Sequence, residues 1–303
     1  MIPPKTILAA SDLSEKSVVA LRRAAQLARE HNARLKLLHV VEALPQEEIP
    51  APLRVLVAAS PLQQLTDTAR ERLERQAERV VEGEIAYDCR VETGKDFVAI
   101  IRAARQMPAD LIVIAAHGSH SLRDLFLGTT AEKIVRKGEV PVLVVKNRSV
   151  APYRRVLVPT DFSDAARQAL TTALALAPEA HLDLLHVYEL WGEGRLSLAD
   201  SSEETREKYH RLVRDGAEAA MTEWLRGIDF GSRQIDRHFR YGHPGALIPQ
   251  IARELATDLV AMGTAGRSGL PYILLGSVAE HVLREAPCDV LTVRPTDFRF
   301  ELP

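Results

Sequence analysis

Two stretches decide the fold: ADLIVIAAHGSHSLRDLFLGTTAEKIVRKGEVPVLVV (109–145) and TDLVAMGTAGRSGLPYILLGSVAEHVLREAPCDVLTV (257–293). They align without a gap at an offset of 148 residues, with Gly118 on Gly266, Gly128 on Gly276 and Glu132 on Glu280. The likeness continues upstream. TILAASDLSE (6–15) meets VLVPTDFSD (156–164), LKLLHVV (35–41) meets LDLLHVY (182–188), and Gly94 meets Gly242. A period of about 150 residues is the size of a whole domain, not of a solenoid repeat. The chain therefore reads as one domain written twice, residues 1–149 and 150–303. The join is KNRSVAP (146–152), polar and closed by proline.

Within each copy, short apolar or β-branched runs alternate with helical periods. Thr6–Ala10, Leu35–Val41, Ile85–Glu92, Leu111–Ala115 and Val140–Val145 are the expected strands of the first copy. Between them Val18, Leu21, Ala25 and Ala28 share one helix face, as do Phe97, Ile100, Ile101 and Ala104. A charged amphipathic helix is expected over about Leu62–Val81, with Leu65, Ala69, Leu73 and Val80 inward. In the second copy Pro244 stands where a first helical residue belongs, ahead of Leu247, Ile248, Ile251 and Leu255. Near-continuously apolar strands alternating with helices mean a parallel sheet covered on both faces. The expected fold class is α/β: two tandem doubly wound domains of five strands each.

Composition excludes several functions. The 303 residues are 46% hydrophobic and 26% charged, with a net charge of −2, so no basic excess points to nucleic acid or an anionic membrane. Two cysteines, Cys89 and Cys288, make neither a disulfide framework nor a cysteine zinc site. The apolar run after Lys5 is only Ile7–Ala10, too short for a signal peptide, and no stretch approaches the roughly 18 apolar residues of a membrane span. A cytoplasmic protein is expected.

In a doubly wound sheet, ligands bind beyond the strand C-termini at the switch in strand order. Two kinds of segment end strands there. One is Ala10-Ser11-Asp12 with its counterpart Pro159-Thr160-Asp161. The other is the glycine-rich run Gly263-Thr264-Ala265-Gly266-Arg267-Ser268-Gly269, followed by Gly276-Ser277 at a helix start. Glycines let backbone N–H groups approach a phosphate chain, and a helix N-terminus favours its charge. Ser277 with Glu280, and Thr129 with Glu132, also read as capping boxes. Neither G-x-x-x-x-G-K-[ST] nor G-x-G-x-x-G occurs, and no lysine lies between Gly263 and Ser277. Efficient phosphoryl transfer is not expected.

Gly263-x2-Gly266-x9-Gly276-Ser277 matches in full the nucleotide motif of the universal stress protein family, G-x2-G-x9-G-[S/T]. VLVPTDFS (156–163) and LLHV (184–187) also resemble that family's first and second strand ends. The chain resembles a tandem member, apart from the variable stretches near 42–62 and 189–205. The resemblance implies a sheet order of 3-2-1-4-5 and ATP in the cleft, often with a divalent cation such as Mg2+ or Mn2+. By resemblance Asp161 and Val187 lie at the adenine and ribose end, while Gly263, Gly266, Gly276 and Ser277 hold ribose and phosphates. It also implies pairing through the last strands, Val142–Val145 and Val290–Val293, as an internal pseudo-dimer; a further homodimer stays open.

The first copy departs from the motif. Ala115 stands where the first glycine belongs, and its methyl is expected to fill space that a ribose or phosphate needs. The expected picture is a stress-response regulator with one live nucleotide site and one degenerate site, read by an unidentified protein partner. A nucleotide-independent scaffold and a slow ATPase are the alternatives. His117 and His120 form an H-x-x-H pair, weak as a metal site without further ligands. His39 and His186, in the LLHV strand ends, are expected to be hydrogen-bonded structural residues. The segments 42–60 and 189–204 are candidate lids.

Overall fold

The computed structural model describes residues 3–42, 62–83, 85–116, 127–147, 151–189, 203–264 and 275–295. The chain divides into two compact units between Pro152 and Tyr153. Most of the two stretches read as lids lies outside the described residues, as do Gly266, Arg267, His117 and His120.

The first unit runs β1 (Thr6–Ser11), α1 (Ser17–His31), β2 (Arg34–Val41), α2 (Leu62–Val80), β3 (Tyr87–Thr93), α3 (Asp96–Gln106), β4 (Leu111–Ala115), α4 (Thr129–Lys137) and β5 (Val142–Val145). The second repeats it: β6 (Arg155–Pro159), α5 (Asp164–Leu176), β7 (His181–Tyr188), α6 (Glu203–Trp224), β8 (Ile235–Tyr241), α7 (Pro244–Glu254), β9 (Leu259–Gly263), α8 (Ser277–Glu285) and β10 (Asp289–Val293). The strand orders are β3-β2-β1-β4-β5 and β8-β7-β6-β9-β10, the expected 3-2-1-4-5 in each unit. The pairings within each unit are parallel.

The cores are those the periodicity implies. Ile7, Leu8, Leu35, Leu37, Leu38 and Ile112 are wholly buried between helix layers, as are Val156, Leu157, Leu182, Leu184 and Val260. One inward assignment fails: Leu65 is 45% exposed, and burial in α2 begins at Ala69. The first turn of that helix runs past the sheet it covers.

Gly94 and Gly242 coincide for a backbone reason. Both sit at positive φ (124° and 136°), where a side chain is strained. Each N–H closes on the last residue of its unit's second strand, Val41 or Tyr188. That turn aims the following helix, α3 or α7, at the C-terminal end of the sheet.

Candidate functional site

In the second unit a cavity of about 240 Å3 opens beyond the ends of β6, β7 and β9. Of the six residues singled out from the sequence, Asp161, Val187, Gly263, Gly276 and Ser277 line it. Gly266 lies outside the described residues. The cavity's apolar side consists of Leu185, Val187, Ile248 and Met262, with Pro244 at the start of α7. Sequence reasoning missed most of these. The available signal was the period of two along β7, which puts Leu185 on the same face as Val187.

Beside the start of α7, α8 begins. Gly276, not Ser277, is the cap residue, and no side chain caps the helix. The capping-box reading is therefore corrected. Gly276 N–H is committed to the Thr264 carbonyl at 3.0 Å, which fixes the helix start one residue before the serine. The exposed Ser277 is left as the first helical residue. The N–H groups of Ser277, Val278 and Ala279 have no acceptor within the helix, and these residues line the cavity. Thr129 is likewise the first residue of α4, with Gly128 as its cap.

The two glycines act differently from the expectation. A Cβ on Gly263 would lie 2.9 Å from both the carbonyl carbon and Cβ of Ala165. Its bare backbone lets α5 pack against the end of β9, so a methyl there would strike the protein before any ligand. A Cβ on Gly276 would lie 3.2 Å from the Thr264 carbonyl. In the first unit Ala115 carries that methyl, and α1 does not begin until Ser17, while α5 begins at Asp164, the counterpart of Glu15. The extra atom goes with an opened first turn. At the Gly263 position a methyl is directed at the start of α5.

Asp161 Oδ1 accepts from Ser163 N–H (3.1 Å) and Ser163 Oγ (2.5 Å), turning the chain from β6 into α5. Between them Phe162 takes φ 65°, held by its N–H to Thr160 Oγ1 and by stacking on His186 at 4.3 Å. His186 Nδ1 lies 2.8 Å from the Thr160 carbonyl, which can only accept, so that nitrogen carries the proton. His39 makes the same bond to the Ser11 carbonyl. Both are structural pins, as their place in the repeat implied.

Other reactive groups lie away from the cavity. Burial, with Glu74 and Asp88 nearby, pushes the Cys89 thiol up to about 11, so it is not a thiolate at neutral pH. Cys288 is buried. His181, Asp183 and Asp236 cluster near the N-terminal ends of β7 and β8. Wholly buried Asp183 accepts from Arg155 through both oxygens (2.6 and 3.0 Å) and from His238 Nε2 (2.7 Å). Burial works to raise its pKa, but these bonds and charges outweigh it and hold the carboxyl below its ordinary value. Its oxygens are already committed, and the cluster reads as an internal ion-pair network. No described helix is long and apolar enough to cross a membrane.

Comparison with known proteins agrees with this architecture. The universal stress protein family model matches twice, over residues 4–146 and 152–294. The chain is 26% identical to a universal stress protein E homolog from Haemophilus influenzae, covering 96% of this chain and 98% of that one. Over 142 residues it is 30% identical to a universal stress protein from Methanocaldococcus jannaschii, covering 47% of this chain and 82% of that protein. Among solved structures, a universal stress protein from Archaeoglobus fulgidus superposes with a TM-score of 0.62 at 21% identity, covering 96% and 98% of the two chains. A functionally unknown protein from Pseudomonas aeruginosa gives 0.64 at 22%, covering 97% and 94%. With both halves matched, the chain belongs to the universal stress protein family, as a tandem of two family domains.

Proposed function

We propose that the protein is an ATP-binding regulator of the stress response and holds its nucleotide in the second unit. The observation that carries this is the second-unit cavity, which joins an apolar wall to a helix N-terminus with unpaired N–H groups. An adenine ring suits the wall of Leu185, Val187 and Ile248. Asp161 beside it supplies an acceptor for the base amino group or a ribose hydroxyl. The phosphates suit the first turn of α8, where Gly276 lets the chain come close and Ser277 offers a hydroxyl. A Mg2+ or Mn2+ ion takes oxygen ligands, which phosphate oxygens and the Ser277 hydroxyl would provide.

The site's own groups bind and orient rather than transfer. Asp161 Oδ1 is already engaged with Ser163, and no lysine stands in the motif to neutralise a leaving phosphate. Occupancy, rather than turnover, is then the signal that a partner reads. Calorimetric titration of MgATP into nucleotide-stripped protein tests the proposal. One site per chain, lost in Gly276→Asp, supports it. Absence of binding overturns it and favours a nucleotide-independent scaffold, and binding untouched by that substitution overturns the second-unit site.

A further inference from the structure

Asp96 is the first residue of α3, and at the 148-residue offset its counterpart is Pro244, the first residue of α7. Thr130, the second residue of α4, corresponds in the same way to Val278. In the second unit Pro244 and Val278 both line the cavity, as apolar groups. In the first unit a carboxylate and a hydroxyl take those two places, and they are joined. Thr130 Oγ1 donates to Asp96 Oδ2, while Asp96 Oδ1 accepts from Phe97 N–H at 2.6 Å.

The carboxylate therefore sits at two helix N-termini at once, that of its own helix and that of α4. Both present N–H groups without intrahelical acceptors and the positive end of a helix dipole, a place that favours an anion. The second unit leaves the equivalent end of α8 to a ligand. The first unit supplies an anion of its own.

We infer that Asp96 is a built-in anion standing where a nucleotide phosphate would sit in the first unit's cleft. Asp96, rather than Ala115, confines the nucleotide to the second unit. The inference rests on the proposed reading of the second cleft. Ala115 is the weaker candidate because the missing Cβ of its counterpart Gly263 faces the start of α5. A methyl in that direction alters helix packing, whereas a carboxylate at the end of α4 repels a phosphate directly.

The surroundings of Asp96 make its removal a gain of function. Beside it, the ammonium groups of Lys95, Lys133 and Lys137 lie 5.5, 5.4 and 4.8 Å from the centre of the Phe97 ring. Without the carboxylate, an uncovered helix end would remain, with three lysines around the neighbouring Phe97 ring. The second unit has His243, His281 and Glu285 at those lysine positions.

The experiment is a titration of MgATP into the full chain, counting sites. Asp96→Asn removes the charge and keeps an acceptor for Phe97 N–H. Asp96→Pro copies the second unit, and Thr130→Val removes the hydroxyl that holds the carboxylate. Each is made alone and together with Gly276→Asp, which disables the second cleft. Thermal unfolding shows which variants are folded. The expected result is one site in the wild type, near two in Asp96→Asn or Asp96→Pro, and one in either combined with Gly276→Asp. The restored site should bind at least tenfold more tightly than the first unit of the wild type. Two sites of equal affinity in the wild type overturn the inference and leave the second-cleft reading standing. So does a stoichiometry of one in every folded Asp96 variant. No binding in any variant overturns both.

Discussion

Gln76 and Trp224 stand at matching places near the ends of α2 and α6, and each donates to the same carbonyl of its unit. Gln76 Nε2 reaches Ser14 at 3.3 Å, and Trp224 Nε1 reaches Ser163 at 3.4 Å. Around them the chemistry diverges. In the first unit, buried Ser11, Ser17 and Gln76 close a polar network at 2.7–2.8 Å. In the second, Phe162 stacks on His186 and meets Trp224 edge-on at 6.1 Å. The duplicated backbone turn has been kept, at φ 62° on Leu13 and 65° on Phe162, while the side chains behind it were exchanged. Two units of one fold can therefore differ in what their clefts admit without differing in topology. On the proposed reading the clefts differ as their supports do: in the first unit Asp96 accepts from Thr130 and Phe97, while in the second the first turn of α8 lines the cavity.

The largest break in that comparison is Gly276→Asp. It adds a side chain 3.2 Å from the Thr264 carbonyl and a charge at the α8 N-terminus. ATP affinity should fall by more than about 1,000-fold, or roughly 4 kcal/mol, by titration. An affinity within tenfold of wild type would place the phosphates elsewhere.

The next contrast concerns one strand position: Lys36 on β2 and Asp183 on β7 are counterparts, but Lys36 pairs toward β3 and Asp183 pairs toward β6. Arg155 holds the wholly buried Asp183, while in the first unit Lys36 meets Asp88 at 3.2 Å with both side chains partly exposed. Arg155→Ala leaves the buried carboxylate with only its histidine neighbours and should cost about 3 kcal/mol in denaturant unfolding. Lys36→Ala should cost less than about 1 kcal/mol. Because the folded pKa of Asp183 is depressed, its pairing contributes stability above the ordinary carboxylate pKa. That contribution is lost as pH falls through the lowered folded value. The acid-side loss should shrink in Arg155→Ala. Equal costs for the two substitutions would mean that the buried network carries no special weight.

A smaller effect separates the two readings of the motif glycine. Gly263→Ala should destabilise the second unit by about 2 kcal/mol, since the methyl meets α5 backbone at 2.9 Å. Ala115→Gly should cost only about 0.5–1 kcal/mol, mostly backbone entropy. If Gly263→Ala instead leaves stability unchanged and weakens ATP tenfold or more, the glycine serves the ligand after all.

These tests follow where the sequence was legible and where it was not. Strand runs such as Leu111–Ala115 and helix faces such as Phe97, Ile100 and Ala104 were readable because burial repeats at a fixed period. Gly276 and Ser277 were found through the second copy's motif, and Asp161 and Val187 through the family resemblance of their strand ends; all four line one cavity. The capping boxes misled because the start of α8 is set by Gly276 bonding to Thr264, a contact between segments that no local pattern encodes. Leu65 misled because a helical period continues past the edge of the sheet that buries it. Asp96 is marked by no motif. Its partner Thr130 lies 34 residues away, on a helix that only the fold brings alongside.

The smallest predicted effect concerns His39. Burial lowers its pKa, and the bond to the Ser11 carbonyl and the nearby Asp12 charge offset only part of that. A histidine whose folded pKa lies below its unfolded one favours the neutral ring in the native state. Between the two values the unfolded chain binds more protons, so stability declines as pH falls through about 6.5 and levels off below the folded value. His39→Gln keeps a donor for the Ser11 carbonyl and removes the titration. Denaturant unfolding of the two proteins from pH 7.5 to 5 should show a shallower acid slope in the variant. Parallel slopes would mean that His39 titrates alike in both states. The ring would then act on the β1 turn through its hydrogen bond alone.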